Sequence, residues 1–149
     1  MLKMQKKQMR AKWQYKNNII GLRQERYMKI AIPVDTNNME SSVCISFGRT
    51  PYFLVYDTEN KESVFLENTA AQSPGGAGIK AAQIIVDSNA DVLLTPRCGE
   101  NAALVINEAK IKIYKTSGTS ITENLEDFNQ GKLSLLEEIH AGFHGHGGN

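Results

Sequence analysis

The side chains able to ligate a soft or borderline metal are few and unevenly placed. His140, His144 and His146 all fall in the last ten residues, four and two positions apart, within "EIHAGFHGHGGN". Imidazole is the commonest neutral metal ligand, and structural zinc takes four ligands, often mixing Cys with His. These three histidines would join Cys44 and Cys98 only if the tail folds back; the other reading is a flexible tail. Cys98 lies in "TPRCGEN", Thr95–Asn101, where a strand ends and a helix begins, beside the fixed cation Arg97. That position predicts a lowered thiol pKa and suits a thiolate–metal bond or an anionic cluster. The competing reading is a small residue packed in a turn. A catalytic Cys is disfavoured, because no His outside the tail could act as its base. Cys44, in "VCI", is either a second soft ligand or a small buried apolar residue.

A second stretch, "SPGGAGIKAA" (Ser73–Ala82), runs glycine-rich loop into helix. N–H groups at a helix start, with the helix dipole behind them, point donors at an anion. Gly75, Gly76 and Gly78 would let a ligand approach the backbone. Their spacing matches neither the P-loop nor the dinucleotide fingerprint. The alternative is a helix start that simply needs special backbone angles. With Arg97, Cys98, Gly99 and Asn101, these glycines form the candidate cofactor-binding set.

The elements that must position these residues follow from periodicity. Lys29–Val34, Tyr52–Asp57 and Glu62–Glu67 read as strands, the last two joined as a hairpin by "TENK". "NTAAQSPGGAG" reads as a loop. Residues 79–88 and 101–109 carry apolar positions at helical spacing. Asp91–Thr95 and Ile111–Lys115 are short apolar strands. Ile121–Asn129 is a helix with Thr119, Ser120 or Thr122 available as its cap. The second half therefore alternates strand and helix, which predicts a parallel arrangement with right-handed crossovers. The first half is antiparallel, so a mixed sheet with helices on its faces is expected. Ligands of open α/β sheets sit outside the carboxyl ends of the strands, where both candidate loops fall. A hydrolytic reading would need clustered carboxylates to hold magnesium, yet Asp57 and Asp91 are expected away from Asp35's end of the sheet.

Charge divides the chain. Residues 1–27 hold eight Lys/Arg against the single acid Glu25, leaving nine basic and fifteen acidic residues in the remainder. Met28 stands directly before a strand, like an initiator, so residues 1–27 are read as an upstream extension, poorly ordered or a misplaced start. A nucleic-acid-binding arm, with Trp13 and Tyr15 to stack on bases, is the lesser reading. No apolar run is long enough to cross a bilayer. Two distant cysteines make no disulfide framework, so a reducing, cytoplasmic setting is expected. The expected division is an arm over 1–27, one domain over 28–136 and a Gly/His-rich tail over 137–149.

In order, "MKIAIPVD", "SFGRTPYFLVYD", "NTAAQSPGGAGIKAAQIIVDSNADVLLT", "CGENA", "IKIYKTSGTSITENLEDFNQGKL" and the Gly/His tail resemble the dinitrogenase iron–molybdenum cofactor biosynthesis family. That family includes the NifX and NafY carrier proteins and the C-terminal domain of NifB. The resemblance spans Met28 to about Gly148. It implies an α/β, ribonuclease H-like three-layer fold whose mixed five-stranded sheet has the order 3-2-1-4-5. It implies no enzyme activity, but binding and carrying of an iron–sulfur or iron–molybdenum-type cluster or its precursor. Cluster-assembly proteins are then the expected partners, and the chain a monomer or weak homodimer. A small interaction module without cofactor is the alternative. Two positions depart from the family pattern. Ser46 stands where relatives often carry His before "FGR", and Gly99-Glu100-Asn101-Ala102 replaces a turn often written G-P-N-A. The first loses an imidazole and the second adds a carboxylate.

Overall fold

The computed structural model describes residues 27–137. Residues 1–26 of the expected arm (1–27) and residues 138–149 of the expected tail (137–149) lie outside the described residues. Five strands form one sheet: β1 (Lys29–Val34), β2 (Tyr52–Asp57), β3 (Glu62–Glu67), β4 (Val92–Thr95) and β5 (Lys112–Lys115). Their order is β3-β2-β1-β4-β5, as expected, with β1–β2 and β2–β3 antiparallel and β1–β4 and β4–β5 parallel. Among the described residues three helices pack on this sheet: α1 (Ala77–Asp87), α2 (Glu100–Glu108) and α3 (Ile121–Asn129).

Strand alternation sorts the apolar residues onto two faces. Ala31, Phe53, Leu93 and Ile113 face Ala81, Ala82 and Ile85 of α1 and Ala102, Ala103 and Ile106 of α2. Alanines at this seam let both helices lie close to the sheet. On the other face, Ile30, Ile32, Val34, Leu54, Val92 and Leu94 pack with Ile121, Leu125 and Phe128 of α3. Helices thus cover both faces. Pro33 is tolerated in the central strand because pairing to β4 stops at Ala31↔Leu93, so no ladder bond needs its missing donor.

Beyond that point β1 and β4 diverge, and the chain fills its own fork. Ser42–Cys44 lies there, through Asp35 N–H to Ser42 O (3.0 Å), Cys44 N–H to Pro33 O (2.8 Å) and Val43 N–H to Thr119 O (2.9 Å). On the outer edge, Ser134–Leu136 runs antiparallel along β5, through Lys115 N–H to Ser134 O (2.9 Å) and Leu136 N–H to Ile113 O (2.8 Å). Thr69–Gln72 forms a 3-10 turn inside the stretch read as plain loop, and α1 begins at Ala77 rather than residue 79. The bounds of α2, β4 and β5 differ from the sequence expectation by one residue.

Candidate functional site

All three helices start at the end of the sheet where β1, β4 and β5 finish. Four loops therefore gather there: 35–51, 68–76, 96–99 and 116–120. Buried polar side chains set their shapes. Thr50 Oγ1 has Val34 O at 2.8 Å and Tyr52 O at 3.1 Å as acceptors for its single hydrogen. Asn68, 3% exposed, donates from Nδ2 to Gly48 O (3.0 Å) and Thr50 O (2.8 Å), while its Oδ1 accepts from Ala70 N–H (3.0 Å). Thr95 Oγ1 donates to Arg97 O (2.9 Å). Asn124, fully buried, donates to Ser117 O (3.0 Å) and Ser120 O (2.8 Å) and accepts from Ser117 N–H (2.8 Å). Buried amides persist where their donors and acceptors are met.

The loop around Gly48 lies directly on the first turn of α1. A Cβ placed on Gly48 would come within 3.1 Å of Gly78 Cα and N, so this close approach favours glycine. Gly78 faces α2 in turn, 3.7 Å from Ala102 Cβ by the same construction. Gly76 caps α1 with φ 69°, a left-handed conformation suited to glycine. Gly99 caps α2 in extended conformation. Neither glycine has a side chain to accept from the first-turn N–H groups. Gly75 has open space around it.

Cations adjoin these helix starts. Arg49 Nη1 donates to Ala71 O (2.8 Å) and Ser73 O (3.1 Å), and Lys80 Nζ donates to Ser73 Oγ (2.8 Å). Arg49 and Lys80 thus meet at Ser73, beside the α1 cap. Arg97 is exposed in the loop leading to α2, and Asn101 is exposed in the first turn of that helix. Glu100 places its carboxylate in the same turn. Arg49, Lys80, Gly48 and Asn68 were missed by sequence reasoning. The available signals were the Gly in "SFGR" and the Asn before "TAAQ", a residue type that favours caps and Asx turns.

Cys98 corrects an expectation. It is 1% exposed, belongs to the core beneath α1 and α2, and burial pushes its thiol up to about 12. Proximity to a helix start was expected to lower the pKa; desolvation of the thiolate in an apolar surround outweighs it. Cys44 is half-buried, and burial raises its thiol too. Against that, hydrogen bonds from the Ser46 backbone and the Thr50 hydroxyl favour the thiolate, while the Asp35 carboxylate adds to the rise. Ser46 Oγ accepts from Arg49 N–H (3.2 Å). Among the described residues, no three His, Cys, Asp or Glu side chains stand close enough to hold a metal ion.

His140, His144 and His146 lie outside the described residues. The chain reaches Glu137 while running along β5 away from the loop end. The carboxylates of the hydrolytic reading are separated. Asp35 follows the loop end of β1, whereas Asp57 pairs with Lys29 at the opposite end and Asp91 accepts Lys29 N–H there (2.8 Å). No helix among the described residues is long and apolar enough to cross a membrane.

Known proteins resemble this chain in sequence and fold. An uncharacterised protein of Methanocaldococcus jannaschii is 32% identical over 115 residues, covering 75% of this chain and 94% of the relative. The apo form of the orange protein from Desulfovibrio gigas superposes with a TM-score of 0.70 at 27% identity, covering 76% of this chain and 96% of its own. A proposed NifB protein from Thermotoga superposes with a TM-score of 0.67 at 31% identity, covering 75% and 96%. Residues 28–131 match the family described as dinitrogenase iron-molybdenum cofactor, and the chain belongs to that family.

Proposed function

We propose that this protein is a non-enzymatic carrier for an anionic metal–sulfur cargo, an iron–sulfur or iron–molybdenum-type cluster or its precursor. The cargo is taken at the loop end of the sheet, across the starts of α1 and α2. The observation that carries this reading is the pair of neighbouring helices that both begin with glycine caps at that end. Each presents first-turn N–H groups and the positive pole of its dipole. In this assignment Gly75, Gly76, Gly78, Gly99 and Asn101 offer backbone approach, and Arg97, Arg49 and Lys80 supply charge.

The donor set fits an anion better than a covalently ligated metal. Cys98 is protonated and enclosed at neutral pH, and Cys44 belongs to no group of three His, Cys, Asp or Glu side chains among the described residues that could hold a metal. A cargo that arrives with its own sulfides needs no protein thiolate, and weak attachment suits hand-off to cluster-assembly proteins. The tail histidines His140, His144 and His146 remain proposed auxiliary ligands.

Anaerobic reconstitution with iron and sulfide tests the proposal. Bound iron with visible absorbance is expected, lost on combined Arg49→Ala and Arg97→Ala replacement and retained in Cys98→Ala. Protein that takes up no iron would sink it. Glu100 favours the second reading, a cofactor-free interaction module, because it puts the protein's own carboxylate at the α2 start. That reading expects no iron and unchanged partner binding in the arginine variant.

A further inference from the structure

Two buried asparagines do the same chemistry on different loops of the same end. Each donates its amide hydrogens to two loop carbonyls and accepts one backbone N–H. Their surroundings differ in what the braced loop touches. Asn124 holds residues 117–120, which lead into α3. Asn68 holds Gly48 and Thr50, and Gly48 rests on Gly78 in the first turn of α1. A methyl group at that contact would sit 3.1 Å from backbone atoms of Gly78, tighter than ordinary packing, so a shift of the Gly48 carbonyl moves the loop against the helix start. Asn68 also caps the 3-10 turn at Ala70, whose trailing carbonyls at Ala71 and Ser73 hold Arg49. One buried side chain therefore links the loop, the turn and the cation beside α1.

We propose that Asn68 is the positioning residue of the cargo site, setting the Gly48 loop and Arg49 relative to the start of α1. This rests on the binding reading above. Asn68 does not reach the cargo; it acts through Gly48 O, Thr50 O and the turn it caps.

The matched pair supplies the test. Asn68→Asp and Asn124→Asp each keep the shape and the acceptor while removing both donors and placing a carboxylate against two carbonyl oxygens. Both variants are expected to unfold at lower urea concentration by similar amounts. They part on cargo: with an iron–sulfur cluster assembled anaerobically from iron and sulfide as probe, Asn68→Asp is expected to weaken binding tenfold or more and shift the visible band, and Asn124→Asp to stay within twofold. Equal loss in both, or full binding by Asn68→Asp, overturns the proposal. Amide NMR tests the positioning even if the wild-type protein binds no cluster. In Asn68→Asp, shifts are expected at Gly48, Arg49 and Ala77–Lys80, with 117–120 unchanged. Changes confined to Thr69–Ala71 would show a local cap and contradict the linkage. Failure of the binding reading instead appears as a wild-type protein without iron.

Discussion

The loop end of the sheet has two halves, and they answer the same physical need in opposite ways. The first N–H groups of any helix lack intrahelical acceptors. At α3 the protein answers from within: Ser120 Oγ accepts Glu123 N–H (3.1 Å), Glu123 adds a first-turn carboxylate, and Asn124 locks the preceding loop. At α1 and α2 the caps are Gly76 and Gly99, and Arg49, Lys80 and Arg97 adjoin them. One half is capped by a side-chain hydroxyl; the other has glycine caps beside cations, with Glu100 as the one carboxylate in its first turns. A fold needs the closed kind for stability; the open kind leaves donors for something else.

The largest expected break falls on the packing beneath the open half. Gly48→Val would press a branched side chain onto the backbone of Gly78, which cannot rotate away. A loss of about 1–3 kcal/mol in urea unfolding is expected from such overpacking. Gly75→Ala, with open space around it, should stay within about 0.5 kcal/mol. Equal effects at the two glycines would contradict the close approach.

Removing the brace of the closed half comes next. Asn124→Ala leaves buried backbone groups of Ser117 and Ser120 without their partner, and about 2 kcal/mol should be lost in urea unfolding. Cluster binding should not change.

Alkali separates the halves through Cys98. Its folded thiol is raised above the 9.0 of a free thiol, so the unfolded chain gives up this proton first. The stabilising preference for the neutral thiol is whole below 9.0 and lost progressively as pH rises towards about 12. Unfolding midpoints of wild type and Cys98→Ala, followed from pH 7 upward, should therefore converge above pH 9.0. A constant gap would place the thiol in water. The smallest effect is at the cap: Ser120→Ala should cost about 1 kcal/mol by thermal unfolding, again without touching the open half.

How much of this was legible depended on whether a residue's role is local. Strand and helix positions followed from apolar spacing, and the bounds of β1, β2, β3 and α3 coincide with the sequence reading because each is set by its own pattern and turns. Ser120 as a cap was among the expected candidates. The glycines of the open half were visible as a loop-to-helix pattern. The pKa of Cys98 was misread because its chain position suggests a helix start, whereas it is decided by the apolar side chains that α1 and α2 lay over it; the 1% exposure agrees with the competing reading of a small packed residue. Gly48 and Asn68 were missed for the same reason. Their partners, Gly78 and Gly48, are thirty and twenty residues away. Asn124 left a faint mark, an amide three residues after Ile121 on the core-facing stripe of α3.

Gly99→Asp tests the central claim most directly, because it turns the open start of α2 into a closed one. Gly99 already has the extended backbone of a capping residue, so Asp should fit and gain a few tenths of a kcal/mol in stability. Its carboxylate would occupy the N–H groups proposed for the cargo. The measurement is iron bound per chain after anaerobic reconstitution, with Ser120→Ala as the control for the closed half. The account expects Gly99→Asp to fold at least as stably as wild type and to bind tenfold less iron, with Ser120→Ala binding normally. A stable Gly99→Asp protein that loads iron like wild type would contradict it.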